Sequence, residues 1–126
     1  GKMIRDFTYV DDIVEAVIRV LNKPASPNLT YDPTNPDPAV SNAPYRVFNI
    51  GNSNPIPLMD YIRSLEIALG REAEKNMLPM QAGDVPATSA DTKNIKDWVD
   101  YQPQTDVLHG VKKFVDWYLN YYGHNI

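Results

Sequence analysis

In the stretch MIRDFTYVDD, Arg5 stands where an extended run gives way to a helix. A planar guanidinium at such a junction can grip a phosphate or a carboxylate through two parallel N–H bonds. On the residues alone a plainer role is favoured, with Arg5 pairing to Asp6 or another nearby carboxylate and simply holding the fold. Farther on, in MLPMQAGDVPATSAD, Gln81 and Asp84 bracket Gly83 in an irregular segment. An amide and a carboxylate displayed on a loop can address the hydroxyls of a sugar or a ribose. The plainer alternative is a turn in which Asp84 bonds its own backbone.

Other chemistries find little support. The chain has no cysteine, which excludes disulfides, thiolate metal sites and cysteine nucleophiles. Its two histidines, His109 and His124, are not spaced as a ligand pair, read most simply as surface residues, and leave no metal site. The glycine-rich loops that cradle phosphates and the G-x-S-x-G of serine hydrolases are both missing. A lysine one helical turn after a tyrosine lowers the phenol's pKa and equips it for proton transfer. None of the eight tyrosines has one: Tyr9 meets Ile13, Tyr61 meets Leu65 and Tyr118 meets Tyr122.

Composition narrows the classes further. The 126 residues make about one domain, with 43% hydrophobic and 22% charged residues. Net charge is −4 and the basic residues are scattered, so the basic stripe of a nucleic-acid binder is missing. No apolar run is long enough to cross a bilayer, and the expected location is cytoplasmic.

These residues need elements to position them. IRDFTY (4–9) reads as a short strand. Asp12 and Glu15 resemble a capping box for the helix carried by Val10, Ile13, Val14, Val17, Ile18 and Leu21, which ends near Asn22. Six of the eleven prolines fall in 24–44, which predicts a long surface loop. YRVFNI (45–50) reads as a strand buried on both faces. Pro57 begins a helix with Leu58, Ile62, Leu65 and Leu69 on one face, closed by Gly70. A further strand is expected over 73–79 and a loop over 81–92. Thr92 is placed to cap a short helix through Trp98, and Thr105 to cap a last helix striped by Val107, Leu108, Val111, Phe114, Val115, Tyr118 and Tyr122. The alternation is α/β, with too few strands for a complete doubly wound sheet.

Taken in order, RDFTYVDDIVEAVIRVL, APYRVFNIGNSNPIPLMDYIRSLEIALG and NMLPMQAGDVPATSADT resemble the C-terminal part of an extended short-chain dehydrogenase/reductase. The likeness covers nearly the whole chain outside the proline-rich loop. The RDF-x-YV-x-D pattern is shared with UDP-galactose 4-epimerases and dTDP-glucose dehydratases. LPMQ-x-GDV together with APYRVFNIGNS points to the UDP-glucuronate 4-epimerase branch of the nucleotide-sugar epimerases.

The resemblance implies a partial α/β fold: residues 1–126 as the C-terminal substrate-binding part, carrying the last strand and helix elements of an incomplete Rossmann-type sheet. The N-terminal NAD-binding domain, with its glycine-rich loop and catalytic Tyr-x-x-x-Lys, is absent from this chain. In the intact parent NAD is the cofactor, UDP-glucuronate and UDP-galacturonate are the ligands, and polysaccharide biosynthesis is the setting. Neither nucleic acid nor membrane is an expected partner. Carried over by position, Arg5 reaches the pyrophosphate and Asp84 binds the ribose hydroxyls. Gln81 replaces an arginine of galactose-type relatives and offers an amide hydrogen bond, and Thr88 faces the nucleotide pocket. The expectation is a UDP-sugar-binding fragment that is inactive alone, holds no cofactor, and self-associates through apolar faces, strand 45–50 among them. The alternative from another class is a non-catalytic module that binds a nucleotide sugar or a protein.

Overall fold

The computed structural model describes residues 1–123. Its elements are β1 (Ile4–Arg5), α1 (Val10–Leu21), β2 (Ile56–Pro57), α2 (Leu58–Leu69), α3 (Lys93–Val99) and α4 (Val107–Tyr122). β1 pairs antiparallel with β2, Ile4 opposite Pro57 and Arg5 opposite Ile56. On its other side Ile4 bridges Ala87 in parallel, through Ile4 N–H to Pro86 O at 2.9 Å and Thr88 N–H to Ile4 O at 3.1 Å. Two residues of β1 therefore seam the start of the chain to segments more than fifty and eighty residues away.

The expected strand over 4–9 is thus confined to Ile4–Arg5, because Asp6 turns its hydrogen-bonding capacity to the turn at 51–54. The helix that follows starts at Val10, and Asp12 does not form a capping box. Its carboxylate accepts Thr105 N–H at 3.0 Å and the Tyr101 hydroxyl at 3.3 Å, so a tertiary bond replaces the local one. The negative charge still suits the positive end of the helix. α1 buries Ala16 completely, and its Arg19 donates to Asp100 O at 3.2 Å while lying over the Tyr101 ring.

Residues 24–44 form the expected loop, stitched by Asx turns at Asn28, Asp32 and Asp37. Segment 45–50 is not a strand buried on both faces. It is extended, with one bridge between Arg46 and Val40. Arg46 and Phe48 face Trp98 of α3, while Tyr45 and Val47 are about half exposed. A layer covers one side only, and a strand closed on both sides needs two. Residues 73–79 likewise pair with no strand and lie exposed along the surface.

α2 ends at Gly70 in the left-handed conformation, φ +66°, as expected of a residue without a Cβ. α2 and α4 pack together, Val111 and Val115 being buried on α4. The cap of α4 is Asp106, whose carboxylate accepts His109 N–H at 2.8 Å. Thr105, the expected cap, spends its N–H on Asp12. Thr92 precedes α3, but its hydroxyl bonds Ser53 at 2.7 Å, and Asp91 takes the Lys93 N–H instead. Among the described residues no helix is long and apolar enough to cross a membrane.

Candidate functional site

Arg5 ends β1 and Asp6 follows it, and the two side chains take different partners and do different work. The Asp6 carboxylate accepts three backbone N–H groups: Ser53 at 3.0 Å, Asn54 at 3.3 Å and Ala90 at 3.1 Å. Its own N–H donates to Thr88 Oγ1 at 3.2 Å. A carboxylate held by several N–H groups makes stronger bonds than a neutral acceptor would. Asp6 thereby fastens the 51–54 turn and the 88–90 segment to β1. The approach is close: a Cβ on Gly51 would stand 2.3 Å from Ala90 Cβ and 3.1 Å from Asp6 Oδ2. The sequence reading missed Asp6 as an organiser, because the turn and the segment it fastens lie more than forty and eighty residues away.

Arg5 meets Asp84, Nη2 to Oδ1 at 2.7 Å, with side chains 19% and 38% exposed. Nη1 donates to Ile4 O at 2.9 Å and Nη2 also approaches Met3 Sδ at 3.2 Å. The partner of Arg5 is therefore Asp84, seventy-nine residues away, and not the adjacent Asp6. Asp84 Oδ1 accepts Val85 N–H at 2.8 Å as well, and Asp84 N–H donates to Gln81 O at 3.1 Å. The local turn and the long-range ion pair thus coexist. Gly83 at φ +89° makes that turn possible.

The structure brings three of the four expected site residues to one edge of β1. Arg5 and Asp84 are in contact, and Thr88 lies alongside with its hydroxyl oxygen engaged by Asp6 N–H. Gln81 shares the turn through its carbonyl, while its side chain is exposed. What results is a cation, a carboxylate and a hydroxyl on a common rim, a set able to address a phosphate and a polyol. The apolar hollow of about 230 Å³ under Phe7, Tyr9, Tyr61 and Gly110 is a separate place. His109 is exposed on α4 and joins nothing at this rim, and His124 lies outside the described residues. No cluster of three metal-ligating side chains occurs among the described residues.

No family model matches the sequence. It is 52% identical over 122 residues to the CapI protein of Staphylococcus aureus, covering 97% of this chain and 36% of that protein. A probable UDP-glucuronate 4-epimerase of Rhizobium meliloti is 42% identical over 119 residues, covering 94% of this chain and 35% of that one. The UDP-glucuronic acid 4-epimerase of Bacillus cereus, solved in complex with NAD, superposes with TM-score 0.71 at 25% identity, over 100% of this chain and 33% of that one. Nearly the whole of this chain is thus similar to about a third of the length of UDP-glucuronate 4-epimerases.

It spans about a third of the length of the curated epimerase relatives it matches, and its helices with a small two-stranded sheet match the C-terminal part of the epimerase fold. The family's dinucleotide calls for a helix N-terminus reached by a glycine-rich turn. The described helices do not fit one. α1 opens on Asp11 and Asp12, α2 follows Pro57, and the His109 N–H in the first turn of α4 is met by the Asp106 carboxylate.

Proposed function

We propose that this chain is the UDP-sugar-binding portion of an NAD-dependent UDP-glucuronate 4-epimerase, inactive by itself. The observation that carries the reading is the meeting of Arg5 with Asp84 beside Thr88 on one rim. The residues that the family resemblance assigns to the nucleotide are far apart in sequence and adjacent in space. In this reading the guanidinium fork of Arg5 takes oxygens of the pyrophosphate. Asp84 accepts the ribose hydroxyls, and Gln81, exposed at the turn, adds an amide hydrogen bond. Thr88 lines the nucleotide pocket, its hydroxyl proton still free to donate. Asp6 touches no ligand; it fixes the segment that carries Thr88 against the strand that carries Arg5. In the intact enzyme NAD would supply hydride chemistry at the sugar C4, held, with the Tyr and Lys that handle the proton, by the part of the longer relatives that this chain does not match.

Two experiments test the reading. Calorimetric titration of the isolated chain with UDP-glucuronate should give weak or no binding, because much of the pocket wall is supplied by the rest of the fold. A micromolar Kd would contradict that half of the proposal. A chimera joining this chain to the upstream two thirds of the Staphylococcus aureus relative should interconvert UDP-glucuronate and UDP-galacturonate, and Arg5→Ala should raise its KM. A chimera that folds and binds NAD yet leaves UDP-glucuronate untouched would sink the other half.

A further inference from the structure

The contact that identifies the rim is also an obstacle to its use, since Asp84 places a negative charge on the very group offered to phosphate. We infer that Asp84 is a specificity-determining gate. It pairs with Arg5 and yields the guanidinium only to a ligand that compensates the carboxylate with hydroxyl donors, so that bare phosphates are disfavoured. The inference rests on the nucleotide-site reading above and concerns how that site discriminates.

The geometry carries it in three steps. First, the grip is one-sided: Asp84 engages a single nitrogen, and the Arg5 Nε–H and second Nη1–H have no partner among the described residues. A monodentate pair lacks the strength of two parallel bonds, and pairs open to water are worth about 0–1 kcal/mol. The contact is therefore weak enough to be exchanged. Second, Asp84 is not free to withdraw. Its Oδ1 is held by Val85 N–H and its backbone by Gln81 O, so it remains close to any anion that reaches Arg5. Third, Arg5 is held in turn by Ile4 O, and the fork stays aimed at the same place. An anion without donors meets a cation whose charge is already answered. A ligand bearing both phosphate and vicinal hydroxyls satisfies both partners, the hydroxyls donating to the carboxylate while the phosphate oxygens accept from the guanidinium.

The test uses the 126-residue chain and inorganic pyrophosphate, followed by calorimetry and by the Arg5 Nε–H resonance. Asp84→Asn keeps the shape of the turn and removes the charge; it should bind pyrophosphate about fivefold more tightly than the unmodified chain, the size of an exposed ion-pair coupling. The gain should vanish in the double variant Arg5→Ala with Asp84→Asn. Three results would overturn the inference: equal or weaker binding by Asp84→Asn, no detectable binding by it, or a gain that survives loss of Arg5. Should Asp84→Asn disturb the turn, the unmodified chain still decides the matter: its Arg5 Nε–H resonance should respond less to pyrophosphate than to UDP at equal concentration. An equal or larger response would overturn the gate. Failure of the epimerase reading would appear separately, as a chimera without turnover, and would leave the pyrophosphate comparison intact.

Discussion

Asp6 accepts three backbone N–H groups through two oxygens, and an amide cannot imitate it. In Asp6→Asn one of those N–H groups must face an NH₂, donor against donor. The loss expected is about 1–3 kcal/mol, the cost of leaving a partly buried donor unmatched, visible as a lower urea midpoint. Gly51→Ala should cost a similar amount, about 1–3 kcal/mol, because its new methyl collides with Ala90. Tyr101 gives a pH prediction. Burial first, then the neighbouring Asp12 carboxylate, pushes its phenol from the ordinary 10 up to about 12. The folded state thus favours the neutral phenol. Its contribution is whole below pH 10 and is lost as pH rises from there through about 12, where the folded chain too surrenders the proton. Between those limits the unmodified chain should lose stability more steeply than Tyr101→Phe. Parallel urea-midpoint curves for the two would refute the assignment.

At the scale of elements, the helices are anchored by bonds that cross between segments more than by their own termini. α1 has no side-chain cap and relies on Asp12 reaching Tyr101 and Thr105. α4 does have one, and Asp106→Ala should cost about 1 kcal/mol. Thr105→Ala, which removes no capping bond, should leave the urea midpoint nearly unchanged. α1 is two-sided. Ala16 is sealed, whereas Val10, Val14, Val17, Ile18 and Leu21 form a stripe 47–74% exposed.

At the scale of the whole molecule, such faces have consequences in solution. Contiguous exposed apolar patches beyond a few hundred Å² tend to recruit partners, and Tyr45 and Val47 of the extended segment are exposed apolar residues in addition to the α1 stripe. The chain is expected to self-associate, with a weight-average sedimentation coefficient that climbs with concentration. Val17→Glu with Leu21→Lys should suppress the climb. A concentration-independent monomer in the unmodified chain would count against the proposal. Relatives are about three times as long; if their additional part covers this stripe, the chimera should lose the concentration dependence.

The sequence by itself determined the helices, the proline-rich loop, the Gly70 stop and the family, because each is written in local periodicity or in motifs read in order. It also named Arg5, Gln81, Asp84 and Thr88 through resemblance. What it could not determine was who pairs with whom. Two candidate strands, 45–50 and 73–79, had the right residues, yet a strand exists only where a partner lies alongside, and partnering is non-local. Asp12, Thr92 and Thr105 each had the chemistry to cap a helix, and each was drawn instead to a bond with a distant segment. That Arg5 meets Asp84 rather than Asp6 is a tertiary outcome: the Ile4–Ala87 bridge brings the far segment alongside β1, and Asp6 is taken up by the 51–54 turn.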